Sequence, residues 1–162
     1  MASSLRQRAI QERGRQKEGA HRVLPYTLLE NEDKQIVLDR IHHELTPLLP
    51  QLKTTTPEEK QLVAVGVNAV TRLVERGGAG VVVVAMHPST ENILWPLLSM
   101  TLSFDVPICV VAATSHDLGA LLGVKSASAM AVGGAIAAST VDALTSLASI
   151  RDYLVTKRSV VA

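Results

Sequence analysis

Val81-Val82-Val83-Val84-Ala85-Met86 is an unbroken apolar run whose first four residues are β-branched. Such side chains are stiff at χ1 and pack well on a pleated surface. A run of this length without polar alternation predicts a strand buried on both faces, in a sheet covered by helices on both sides.

The segments around this strand agree. Upstream, Thr56-Pro57-Glu58-Glu59 supplies a capping Thr, Pro at the first helical position and Glu at the third. It predicts a helix from Pro57 toward Glu75, interrupted at Gly66 and stopped by Gly77-Gly78. Downstream, Ser89 or Thr90 opens a helix through Ile93, Leu94, Leu97, Leu98 and Leu102, with Pro96 in its first turns or at a kink. Val106 to Ala113 reads as a second buried strand. Thr114 and Asp117 frame a short helix that ends at Gly123. Residues 127–132 form a small-residue strand, and Ser139 and Asp142 frame a last helix reaching about Lys157. Nearer the N-terminus, Pro25 opens an extended stretch. Ile36, Val37, Ile41 and Leu45 then recur at helical spacing from about Glu30, until Pro47 and Pro50 end the helix.

Strands that alternate with helices give an α/β fold, here a three-layer α-β-α sandwich around a small mixed, mostly parallel sheet. The expected organisation is a basic, disordered arm at 1–22, an extension with one helix at 23–52, and one α/β domain at 53–158. The chain has 162 residues and 47% apolar content, enough for one core. Its aromatic residues are only Trp95, Tyr26, Tyr153 and Phe104. That scarcity argues against RNA readers that stack several bases on exposed rings.

The net charge of +1 hides an asymmetry. Residues 1–22 carry six Lys/Arg against Glu12 and Glu18, so +4; the remainder carries 10 against 13, so −3. A basic arm on a near-neutral body suits an anionic partner, and it equally suits a solubilising tail. Cys109 is the only cysteine, which excludes an internal disulfide framework and makes a reducing compartment the expectation. No secretory signal and no apolar stretch of roughly 18 residues is seen, so a soluble, intracellular protein without a membrane partner is expected.

Enzyme motifs are scarce. Gly77-Gly78-Ala79-Gly80 precedes a strand, whereas phosphate-binding glycines follow a strand and open a helix. There is no Walker sequence and no nucleophile elbow. His42-His43 reads as a solvated pair, and Cys109 as a core thiol. His87 and His116 follow strand ends without an acidic cluster nearby. No catalytic residue, metal site or cofactor is expected.

Gly66-Val67-Asn68-Ala69-Val70-Thr71-Arg72 is more informative. Gly66 permits close backbone approach. Asn68, Thr71 and Arg72 are three to four residues apart and share one helix face. They offer an amide, a hydroxyl and a cation near a helix N-terminus, a surface that suits phosphate and base edges. The alternative is a helix with ordinary exposed polar residues.

GVNAVTRLVERG (66–77) resembles the G-x-N-E-x-T-K signature of the L-seven-Ae family, the kink-turn-binding ribosomal and snoRNP proteins. VPICVVAATSHDLG (106–119) is similar to that family's strand, loop and Leu-Gly helix, and GVKSASA (123–129) falls at its second RNA-contacting loop. The resemblance spans roughly residues 57–135. It is closest to the Rpp-thirty-eight/Pop-three type subunit of nuclear ribonuclease P and ribonuclease MRP, whose GVNEVTRALER resembles GVNAVTRLVER. LPYTLLENEDKQIVL (24–38) is similar to that subunit's N-terminal segment. The resemblance implies a non-catalytic RNA-binding subunit of a tRNA- and rRNA-processing particle in the nucleus, notably the nucleolus, with neighbouring protein subunits. It implies RNA contacts by Gly66, Asn68, Thr71 and Arg72 and by the loop Val124, Lys125 and Ser126. Ala69 stands where the family has Glu, Arg72 where it has Lys, and His116 replaces a basic residue before the Leu-Gly helix. A generic kink-turn protein of a ribosome or snoRNP, and a same-fold protein–protein adaptor, are the rival readings.

Overall fold

The computed structural model describes residues 25–50, 62–134 and 142–160. The basic arm, the capping sequence at Thr56–Glu59 and the proposed helix start at Ser139 lie outside the described residues.

In chain order the elements are α1 (Asn31–Arg40), a π-turn (Ile41–Leu45) running into a 3₁₀ turn (Thr46–Leu48), β1 (Val63–Val65), α2 (Val67–Glu75), β2 (Ala79–Ala85), α3 (Glu91–Ser103), β3 (Ile108–Val111), α4 (Ser115–Leu122), β4 (Ala129–Gly133) and α5 (Asp142–Thr156). The valine run is an interior strand, as its composition predicts. The sheet order is β1-β4-β2-β3, and Val81 to Val84 are fully buried.

Alternation along β2 divides the core. Val81, Val83 and Ala85 face one side with Cys109, Val111, Met130 and Val132, under Val37, Ile41, Leu118, Leu147 and Ile150. Val82 and Val84 face the other with Ile108, Val110, Ala129 and Ala131, under Val70, Val74, Leu94 and Leu98. Each strand residue thus buries its side chain against a helix layer, which gives the three-layer α-β-α sandwich. Burial pushes the Cys109 thiol up to about 12, as for a core residue.

The sheet is mixed, but the expectation of mostly parallel pairing is corrected. Only β2–β3 is parallel; β1–β4 and β2–β4 are antiparallel. The reason lies in the α4 connection. The chain leaves β3 into α4, turns at Gly123 and comes back to where it left: Ala127 N–H donates to the Ser115 carbonyl at 3.0 Å. β4 therefore starts at the end of the sheet where β2 and β3 finish, and it must run the opposite way. The helix expected from Pro57 toward Glu75 with an interruption at Gly66 is also corrected in its described part before Gly66. Val63-Ala64-Val65 is a strand, and Gly66 at φ 94° separates it from α2.

Pro47 does not end the first helix as expected. The Thr46 amide reaches back to the Ile41 carbonyl, a five-residue step, and its hydroxyl donates to the carbonyl of Leu121 at 2.7 Å, with the Ile41 carbonyl also near at 3.1 Å. The wider turn carries the chain past Pro47 and ties the extension to α4. At the other side, the outer edge of β3 is closed by two short segments. Leu29 N–H donates to Val110 O at 2.7 Å and Leu29 O accepts from Ala112 N–H at 3.0 Å; Ser159 N–H donates to Ile108 O at 2.7 Å. An edge covered in this way offers no free ladder to another chain.

Candidate nucleic-acid interface

The motif residues gather at the end of the sheet where β1, β2 and β3 finish and β4 begins. Gly66 is the hinge between β1 and α2. Its N–H donates to Ala129 O at 2.8 Å and its carbonyl accepts the first helical bond of α2, from Val70 N–H at 3.0 Å. Its backbone, φ 94° and ψ 152°, is a glycine conformation, and a side chain there would meet open space. The dihedral by itself requires glycine at 66, and among the described residues nothing fills the space a side chain would take.

Gly66, the N-cap residue of α2, has no side chain to cap the helix. The positive end of the helix dipole, where anions are favoured, lies at the rim of the sheet. Asn68 and Arg72 are exposed one turn apart, as spacing predicts, and Ala69 is half-buried. Thr71 is on the same helix but its hydroxyl donates to Val67 O at 2.7 Å. Its proton is committed to the helix, leaving an oxygen lone pair.

The second group is the loop between α4 and β4. Val124, Lys125 and Ser126 are exposed. A Schellman turn starts the loop: Val124 N–H donates to Gly119 O at 2.9 Å and Gly123 N–H to Ala120 O at 3.5 Å. Its far end is paired to β2, through Ala85 N–H and Ser128 O at 2.9 Å. Because Ala129 accepts from Gly66, the strand that the loop enters is bonded directly to the start of α2. The two groups are thus brought to one rim of the sheet from segments some sixty residues apart in the chain.

α4 is fixed where it borders this rim. The Thr114 hydroxyl accepts from Asp117 N–H and the Asp117 carboxylate accepts from Thr114 N–H, each at 3.2 Å, the reciprocal cap expected from the sequence. These bonds from Thr114 hold the Asp117 carboxyl below its ordinary range, with smaller help from Lys34 and His116.

Two rim residues had no assigned role in the sequence. His87 follows β2 and is exposed; its Nδ1 accepts from Ser89 N–H at 3.2 Å and lies 2.7 Å from Ser89 Oγ. His116, in the first turn of α4, has Nδ1 3.3 Å from Lys125 O. Their positions after strand ends were the available signal. Among the described residues, no group of three or more His, Cys, Asp or Glu is arranged to hold a metal, and no helix is long and apolar enough to cross a membrane.

Residues 50–139, more than half of the chain, match the model of the Ribosomal protein L7Ae/L30e/S12e/Gadd45 family. No curated protein matches the chain. Among solved structures, the fold is similar to that of the 15.5kD RNA binding protein of Giardia lamblia. The TM-score is 0.54 at 19% identity, over 80% of this chain and 93% of that one.

Proposed function

We propose, for a chain that belongs to the Ribosomal protein L7Ae/L30e/S12e/Gadd45 family, that it is an RNA-binding subunit of a ribonucleoprotein and holds a sharply bent RNA element at the sheet rim. The observation that carries this reading is the convergence of the α2 N-terminus, with exposed Asn68 and Arg72, and the exposed loop Val124–Ser126. Arg72 meets phosphate or a guanine edge with its planar fork, and Asn68 orients the bent strand through its amide. Lys125 adds a second cation, and the loop covers an unstacked base by shape. Thr71 serves the helix first and contributes an acceptor. In this reading the chain is not the catalyst and needs no metal or cofactor. The solved structure similar in fold is that of an RNA binding protein, which supports the same class of ligand.

The particle we propose rests on the resemblance of the sequence motif and the LPYTLLENEDKQIVL segment to one type of subunit: nuclear ribonuclease P or ribonuclease MRP, in the nucleus and its nucleolus, alongside other protein subunits. Sequencing the RNA crosslinked to the chain in cells tests the particle. RNA of a ribosome or a modification snoRNP would favour a generic kink-turn protein instead.

The site is tested by substitution. Asn68→Ala and Arg72→Ala remove exposed groups, so the fold should survive, and each should weaken RNA binding by about 1–3 kcal/mol. Their effects should be coupled, since both grip one element. Arg76→Ala is the control, because Arg76 is an exposed cation at the other end of α2. Affinity is measured at fixed salt, with circular dichroism for folding. A double variant that binds as tightly as the parent would refute the interface. One observation favours a second reading, a same-fold protein adaptor: half-buried Ala69 puts a methyl where the resemblance expects a carboxylate. Failure of the parent to bind any kink-turn RNA would select it.

A further inference from the structure

The loop that enters β4 is anchored at both ends by backbone bonds. The Schellman turn holds Val124, and Ala127 and Ser128 are bonded to Ser115 and Ala85. Lys125 and Ser126 lie between these anchors and are exposed. Two features of α4 reach them. Gly119 lets the backbone of Ser126 rest on the helix; a Cβ at 119 would stand 2.7 Å from Ser126 Cα. His116, one turn earlier on the same helix, places Nδ1 3.3 Å from the carbonyl of Lys125. A carbonyl only accepts, so Nδ1 carries the proton and donates.

We infer that His116 is a positioning residue for this loop: its Nδ1–H holds the Lys125 carbonyl and so sets how Lys125 and Ser126 are presented to the RNA. The inference rests on the RNA-binding reading of the rim, and it assigns His116 a part that its replacement of a basic residue does not suggest. His116 acts through the loop backbone and not as a cation on phosphate. The bond is well suited to that part. It ties the middle of the loop to a helix whose first turn is already fixed by the Thr114–Asp117 cap. The imidazole is exposed, so it fills no core space and its loss leaves the packing of α4 on the sheet unchanged.

The chemistry of the side chain supplies the test. The amide nitrogen of an asparagine occupies nearly the place of Nδ1, whereas that of a glutamine occupies the place of Nε2. The full chain is compared with His116→Ala, His116→Asn and His116→Gln, first alone and then with a kink-turn RNA. In the protein alone, His116→Ala should shift the backbone amide resonance of Ser126 and speed its hydrogen exchange, with no change in thermal midpoint. His116→Asn should restore both and His116→Gln neither. With RNA, His116→Ala should weaken affinity roughly three- to tenfold, the scale of one neutral hydrogen bond, without changing the dependence on salt. His116→Asn should recover it. An unperturbed Ser126 amide in His116→Ala overturns the inference whatever the RNA result. So does a perturbed loop with unchanged RNA affinity, or a lowered salt slope, which would make His116 a phosphate contact. A parent chain with the expected loop response that binds no RNA refutes the RNA role of the rim itself and leaves His116 an anchor of the loop alone.

Discussion

At Gly66 the backbone sits at φ 94° and ψ 152°, while at Gly119 the dihedrals are ordinary and the space is absent. Both glycines are required by the candidate interface, for different physical reasons. Gly66→Ala would force a side chain into a region essentially reserved for glycine, at a cost of about 1–3 kcal/mol. Gly119→Ala would drive a methyl into the Ser126 backbone and costs a similar amount, about 1–3 kcal/mol, as overpacking. The two should separate in their effect on the loop. Chemical denaturation should show both variants destabilised, while the amide spectrum of residues 124–126 should move far more in Gly119→Ala. Equal stability of both variants with the parent would contradict the geometry. Thr71 shows a limit of spacing arguments at this scale. It lies on the predicted face, yet its proton is donated to Val67 O.

At the scale of elements, α4 owes its start to the reciprocal bonds of Thr114 and Asp117. Because the folded Asp117 carboxyl titrates below its unfolded value, folding favours the ionised form. The cap's contribution is therefore present above the unfolded aspartate pKa and is lost as pH falls through the lowered folded value. Thermal melts across the acid range should show the parent losing stability in that window, with Asp117→Asn showing less of the loss. Superimposable acid profiles for the two would remove Asp117 from the account. The group is largely exposed, so the effect should be modest. The strand β2 carries far more. Val83 is fully buried on the face shared with Cys109 and Met130, and Val83→Lys would strand a charge there. A loss on the order of 3–5 kcal/mol is expected, and a variant as stable as the parent in a denaturant titration would be incompatible with β2 as an interior strand.

For the whole molecule, the extension is part of the fold. Leu29 joins the edge of β3, and Thr46 donates to Leu121 of α4. The charge of residues 1–22 adds a long-range term. Deleting them should flatten the salt dependence of RNA binding, because fewer phosphate contacts release fewer counterions. An unchanged slope would assign the arm to another partner.

The strands at Val81–Met86 and near 106–113 and 127–132, the Thr114–Asp117 cap and the stop at Gly123 were legible in the sequence. Each depends on composition or on partners three to four residues away. The shared exposure of Asn68 and Arg72 was legible for the same reason, since helical periodicity is local. Strand direction was not, nor was β1. The sense of β4 depends on Ala127 returning to Ser115, and β1 exists because Val63–Val65 finds a partner in Met130–Val132. The meeting of Gly66 with Ala129, and of His116 with Lys125, is likewise set by how the sheet closes. The sequence by itself determined the chemistry of the two candidate segments and the covered sheet between them. Only the tertiary structure decided that they share one rim, because hydrogen bonds between distant segments leave no local periodicity to read.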